Sequence, residues 1–182
     1  MICYTSYMEK EYKIYDITRD MMRCAPYPGD PTPALSVVYD DCGFLTQALS
    51  ASLHAGTHMD APLHARAGGD IAGVSLSSCL GDCVVSSEFV ADAPRLLLRR
   101  TLTPAEAERF SGLLVGTCAE SIAAASAEEF AVHAPLLGRG IVILENLNLD
   151  AVPDGDYFLI ALPLKISGAE ASPVRAILVA QP

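Results

Sequence analysis

The sequence predicts an α/β domain with a mostly β core and a few short flanking helices. Three observations carry that expectation. Short runs rich in valine, isoleucine, leucine and tyrosine recur from residue 11 to the far end of the chain. The helical signals between them are few and brief. Hydrophobic residues make up 51% of the 182, enough for a substantial core and too many for a disordered chain. No repeat or low-complexity linker divides the sequence. Residues 1–182 are therefore expected to form one domain, with 1–10 as a loose N-terminal extension.

The elements follow in order. "EYKIYDIT" (11–18) reads as a strand, rich in β-branched and aromatic residues. "PYPGDPTP" (26–33) carries four prolines and a Pro-Gly pair, which force an irregular loop. "ALSVVYD" is a second strand, and "FLTQALSASLHAG" (44–56) can extend as one run. "GDCVVSSEFV" is a strand preceded by a turn, and "PRLLLRR" is a short buried strand. "TPAEAERF" starts a helix, with Thr103 as N-cap and Pro104 in the first turn. "GLLVGTC" returns to strand. "SAEEFAVHAPLLGRG" reads as a short helix capped at Ser126, with Glu129 three residues on in a capping-box pattern, and broken at Pro135. "GIVILENL" is the most strand-like run of all, and "YFLIALPLKI" and "VRAILVA" close with two more.

The formal net charge of −10 argues against binding nucleic-acid backbones or anionic membranes. The six cysteines (Cys3, Cys24, Cys42, Cys79, Cys83 and Cys118) are scattered. They read as reduced, mostly buried thiols of a cytosolic protein, with disulfides of a secreted protein as the alternative. The first residues lack a signal-peptide pattern, and no apolar run approaches the ~20 residues of a membrane span. A soluble, cytoplasmic protein is expected.

Chemistry concentrates in "LHAGTHMDAPLHA", which holds His54, His58, Asp60 and His64. Only His133 lies elsewhere. On a strand, His54, Gly56, His58 and Asp60 would share a face. In a straight strand, though, His54 and His58 would stand roughly 13 Å apart, and donors to one metal need to be about 3 Å apart. The chain must bend, and Gly56 is where it can do so cheaply. Gly56, Thr57 and Pro62 argue against a helix here, so a bent strand leading into a loop fixed by Pro62 is expected. Two imidazoles and a carboxylate suit zinc, or less specifically manganese and iron. Water bound to such an ion has its pKa lowered to about 7, which supplies a nucleophile for amides, formamides, esters and lactones. His64 is a further ligand or a proton donor to the leaving group. The same residues also allow plain hydrogen-bonded histidines or a structural metal site. A third reading makes Cys79 or Cys118 a nucleophile.

"HAGTHMDAPLHA" is similar to the H-x-G-T-H-x-D-x-P-x-H motif of the metal-dependent cyclase family, whose best-known members are bacterial kynurenine formamidases. "YDIT…YPGDP", "HAPLLGRGIVILENLNLD" and "LPLKISGAEASPVRAI" resemble further family segments in the same order. The resemblance implies a swivelling β/β/α fold and a homodimer or homotetramer. It also implies metal ligation by His54, His58 and Asp60, with His133 and Glu145 completing a second position. His64 would be the catalytic acid/base, and two Zn²⁺ ions, or Mn²⁺, would bind per chain. The implied activity is hydrolysis of a small carbonyl compound, of the N-formylkynurenine type. A cyclic amide or lactone hydrolase and a non-catalytic metal-retaining binding protein are the alternatives. The chain departs from the family pattern at Cys118, where many relatives have aspartate after Gly-Thr, and at Glu170, where many have D-G-x-P-x-R. It is also short between Arg99 and His133, and it has no tryptophan.

Overall fold

A computed structural model describes residues 12–124 and 127–180. The expected N-terminal extension and the Ser126 cap lie outside the described residues. The ten strands are β1 (Ile14–Asp16), β2 (Ala34–Asp41), β3 (Phe44–Ser50), β4 (His58–Asp60), β5 (Leu80–Ser86), β6 (Arg95–Leu98), β7 (Leu114–Thr117), β8 (Val142–Glu145), β9 (Gly155–Pro163) and β10 (Ala171–Ala180). Among the described residues three short α-helices lie between them: α1 (Leu76–Cys79), α2 (Pro104–Arg109) and α3 (Glu129–Leu137).

Eight strands form one sheet in the order β1-β10-β4-β8-β7-β6-β5-β9. Because β9 also pairs with β10, the sheet curls back on itself. β5 to β8 run parallel, β4 and β9 flank them antiparallel, and β10 pairs antiparallel with both β4 and β9. α2 and α3 are the crossovers from β6 to β7 and from β7 to β8, while residues 87–94 join the parallel strands β5 and β6 without a helix. β2 and β3 form a separate two-stranded hairpin.

The central strands are apolar without alternation because both faces are covered. In "RLLL" of β6, Leu97 packs inside the curled sheet with Met59, Leu144, Leu159 and Leu178. Leu96 and Leu98 point the other way, into a second core with Phe110, Val132 and Leu136 beneath the helices. β8 divides in the same manner, with Leu144 in the first core and Ile143 in the second. That second core fixes α3 against the sheet, and α3 carries His133.

Several local expectations are corrected. The run at 44–56 ends as a strand at Ser50, and the following residues turn. β5 is preceded by the single helical turn α1. The loop expected to be fixed by Pro62 is a 3₁₀ turn (Pro62–Ala65) with that proline at its start. Pro135 does not break α3, which continues to Leu137. An interior proline costs about 3 kcal/mol. Leu136 and Leu137 beyond it are 0% and 1% exposed, and burying two such side chains returns about 3–6 kcal/mol. Packing outweighs the breaker. The expected N-cap of α2, Thr103, is in place, and Glu106 bonds it reciprocally to complete a capping box that was not expected there.

Candidate metal centre

The bend expected at Gly56 is real. Gly56 has φ +65°, and a Cβ there would lie 2.8 Å from Met21 Cα and 2.9 Å from the Arg19 carbonyl oxygen. Thr57 locks the bend, its hydroxyl donating to the Asn146 carbonyl at 2.7 Å while accepting the Arg19 N–H at 2.8 Å. His54 therefore sits in a turn, off the strand, and folds back over it. The His54 and His58 ring centroids are 4.8 Å apart, about a third of the extended-strand separation.

Strand pairing supplies the rest. His58 and Asp60 are buried on β4, and His58 lies directly opposite Glu145, the last residue of β8. His133 enters from α3, whose Glu129 carbonyl accepts its Nδ1–H at 2.8 Å. His58 is held in the same way by the Gly56 carbonyl at 2.9 Å. Both rings thus turn Nε2 inward: His58 to 3.2 Å from Glu145 Oε2, and His133 to 3.3 Å from Glu145 Oε1. His54 Nδ1 is 3.2 Å from Asp60 Oδ1. Asn146, immediately after Glu145, has φ +60°, so the chain leaves the site through a left-handed residue. The buried Glu145 is further fixed by the Ile122 N–H at 2.6 Å.

His54, His58, Asp60, His133 and Glu145, drawn from positions 54 to 145 of the chain, meet at one point. His64, in the 3₁₀ turn, is exposed at the rim, with its ring centroid 4.7 Å from His54 and 5.6 Å from His133. A cleft of about 290 Å³ opens over the cluster. Its outer wall includes Tyr27 and Asp30 from the proline-rich loop, Glu120 and Ser121 after β7, and Glu129 of α3. Tyr27 donates to Glu129 at 2.6 Å and joins two sides of the mouth.

Two residues of this constellation were hidden in the sequence. Glu170 was visible only as a departure from a pattern, yet its Oε1 lies 3.3 Å from His54 Nε2. Tyr27 was simply part of a proline-rich loop. Cys118 does not enter the cleft lining; its thiol donates to the Arg99 carbonyl at 3.0 Å. Burial pushes the Cys79 thiol up to about 11, so it offers no ready thiolate. Cys24, Cys79, Cys83 and Cys118 are free thiols.

The electrostatics are those of imidazoles and carboxylates facing one another. Burial by itself lowers an imidazole pKa. The Asp60 carboxylate beside it and the charges of Glu170 and Glu145 overcome this at His54 and hold it at about 9. Glu145 and Asp60 hold His133 at about 9 against the same burial. His58 is also raised. Glu145 is displaced well below the carboxylate range, against its burial, by His133 and His58.

The donor set fits divalent metal. Asp60 is 0% exposed, and neither of its carboxylate oxygens makes a hydrogen bond. His58 Nε2 is likewise buried without one. Buried polar atoms are rarely left so. These lone pairs converge, and the trio His54, His58 and Asp60 and the trio Asp60, His64 and His133 each bring their ligand atoms within 4.8 Å of one another.

The Cyclase family model matches residues 10–111 of this sequence, which include the whole histidine motif. The chain belongs to the cyclase family. It is 35% identical to a kynurenine formamidase of Delftia acidovorans, over 91% of this chain and 97% of that protein. A kynurenine formamidase of Bacillus cereus is 33% identical, over 85% and 90% of the two chains. Among solved structures, one described as a "potential metal-dependent hydrolase with cyclase activity" superposes with a TM-score of 0.80 at 23% identity, covering 94% of this chain and all of that one. Isatin hydrolase A of Labrenzia aggregata superposes with a TM-score of 0.76 at 21% identity, covering 94% of each. These two likenesses establish that the cyclase-family protein has the α/β fold of known members, as the resemblance implied.

Proposed function

We propose that this cyclase-family protein is a metal-dependent hydrolase that cleaves the C–N bond of a small amide, with N-formyl arylamines of the N-formylkynurenine type as substrates. The convergence of three imidazoles with two buried carboxylates, one of them without a hydrogen bond, carries this reading. The kynurenine formamidases to which the chain is similar favour the formamide. A cyclic amide or lactone is the alternative within the same chemistry.

His54, His58 and Asp60 would hold one ion and His133 and Glu145 the other, with Asp60 shared between them. Nitrogen and oxygen donors suit Zn²⁺ or Mn²⁺. When bound, such ions make water acidic enough to attack at neutral pH and polarise a carbonyl. The chain's own residues do the rest. His64, exposed at the rim beside His54 and His133, protonates the departing amine. The hydrogen bonds from His58 and His133 to backbone carbonyls fix ring orientation. The Tyr27 ring walls one side of the cleft, where an arylamine would lie.

Treatment with a chelator should abolish hydrolysis of an N-formyl arylamine, and Zn²⁺ or Mn²⁺ should restore it. Full hydrolysis by metal-free protein would overturn the reading. The assembly we propose is a homodimer or homotetramer. The β2–β3 hairpin exposes Leu35, Val37, Val38, Phe44, Leu45 and Leu49 by half or more, and an isolated two-stranded hairpin is marginal in water. Light scattering on the eluting protein tests it; a monomer at micromolar concentration would refute it.

A further inference from the structure

The three buried or half-buried imidazoles of the cluster are not held alike. His58 and His133 each rest Nδ1 on a backbone carbonyl and turn Nε2 inward. His54 is reversed. Its Nδ1 faces Asp60, and on its far side Nε2 meets a carboxylate, Glu170 Oε1, at 3.3 Å.

Glu170 is well anchored for that purpose. It precedes β10, and its carbonyl accepts the Ala61 N–H at 2.9 Å, beside the pair Ala171–Asp60 in the ladder. The residue bracing His54 is thus tied by backbone to the strand bearing Asp60. Its second oxygen, Oε2, is screened from solvent and makes no hydrogen bond. The side chain therefore has an acceptor aimed at His54 and little else to satisfy it.

We infer that Glu170 is the positioning residue of His54: it accepts the Nε2–H and so selects the tautomer whose Nδ1 lone pair points at the metal position shared with His58 and Asp60. This rests on the metal reading above. A neutral imidazole carries one N–H, so fixing the proton on Nε2 leaves Nδ1 as the only ligating nitrogen. A carboxylate does this more strongly than a carbonyl and also raises the basicity of the ligating nitrogen. The turn at Gly56 frees His54 from the strand, so its ring lacks the backbone acceptor that serves His58. The carboxylate from β10 takes that place.

The test is Zn²⁺ affinity, measured by competition with a chromophoric chelator on the full chain, together with the visible spectrum of the Co²⁺-loaded protein. Glu170→Ala should weaken one of the two binding steps by about 10–100-fold and shift the Co²⁺ bands, while the other step stays as in the parent. Glu170→Gln, which keeps the length and an acceptor oxygen, should recover most of the affinity. Glu170→Met, of similar size without a strong acceptor, should not, and this pair decides the matter if the alanine variant folds poorly. Zn²⁺ binding by Glu170→Ala equal to the parent, or by Glu170→Met equal to Glu170→Gln, would overturn the inference while leaving the metal reading intact. A parent protein that takes up no Zn²⁺, Mn²⁺ or Co²⁺ would overturn the metal reading itself.

Discussion

His58 and Glu145 face each other across the antiparallel ladder of β4 and β8, with Nε2 of one 3.2 Å from Oε2 of the other. The register of two buried strands, not a loop, sets this distance. Opposed residues in such a ladder hold their Cβ atoms about 4.5–5.5 Å apart. Asp60, two residues along β4, projects to the same face as His58. Both are buried, so the core of the site is as rigid as the sheet.

Removing the charge on Glu145 tests that arrangement directly. In metal-free protein, Glu145→Gln leaves two buried imidazoles without their closest counter-charge. Loss of one partner of a buried pair costs about 3–5 kcal/mol. Urea unfolding of chelator-treated protein should show a loss of that order, and metal analysis should fall from the proposed two ions per chain to one. Stability equal to the parent would mean the rings are neutral and the pairing carries no charge.

His64→Gln should behave in the opposite manner. The ring is exposed and makes no buried hydrogen bond, so its loss should leave melting temperature and metal content unchanged. Turnover of an N-formyl arylamine should fall by about 10²–10⁴-fold, the usual worth of a positioned proton donor. If turnover is unaffected, the proton comes from elsewhere.

Gly56→Ala and Gly43→Ala form a matched pair. Both glycines have positive φ, +65° and +81°, so alanine is strained at either. Strain of that kind costs about 1–2 kcal/mol. At Gly43 nothing lies within 4 Å of an added Cβ, whereas at Gly56 it would strike the backbone at Met21 and Arg19. Gly43→Ala should lower stability by the strain alone and leave metal binding intact. Gly56→Ala should cost more and also weaken metal binding, because the turn that folds His54 over His58 has to open. Equal effects at the two positions would mean the close approach at Gly56 is relieved easily.

Much of this was legible in the sequence. The apolar runs at "RLLL", "LLVGT" and "IVILE" fall on strands because covered sheets need residues that pack on both faces. The H-x-G-T-H-x-D spacing requires a bend, and only Gly56 could supply it cheaply. What stayed hidden depends on tertiary partners. Pro135 reads as a breaker until the burial of Leu136 and Leu137 is known. His54 reads as part of a strand, because the Thr57 anchor to Asn146 joins positions far apart in the chain. Glu170 reads as an isolated substitution, since nothing local in "EASPVR" reveals that β10 lies beside β4.

The site should also show opposite pH dependences with and without metal. His54 and His133 stand at about 9 in the folded protein, above the ordinary 6.5. Their contribution to metal-free stability is complete below pH 6.5 and is lost as pH rises through 9. Glu145 is depressed below its ordinary 4.5, so its contribution is present above that value and lost as pH falls toward the folded one. Chelator-treated protein should therefore be most stable between about pH 4.5 and 6.5 and lose melting temperature from there to pH 9. Metal must displace the imidazole protons to bind, so its affinity should rise over the same interval. Melting curves with and without Zn²⁺ should diverge progressively from pH 6.5 to pH 9. A metal-free melting temperature that is flat across that interval would show that His54 and His133 are not charged in the empty cluster.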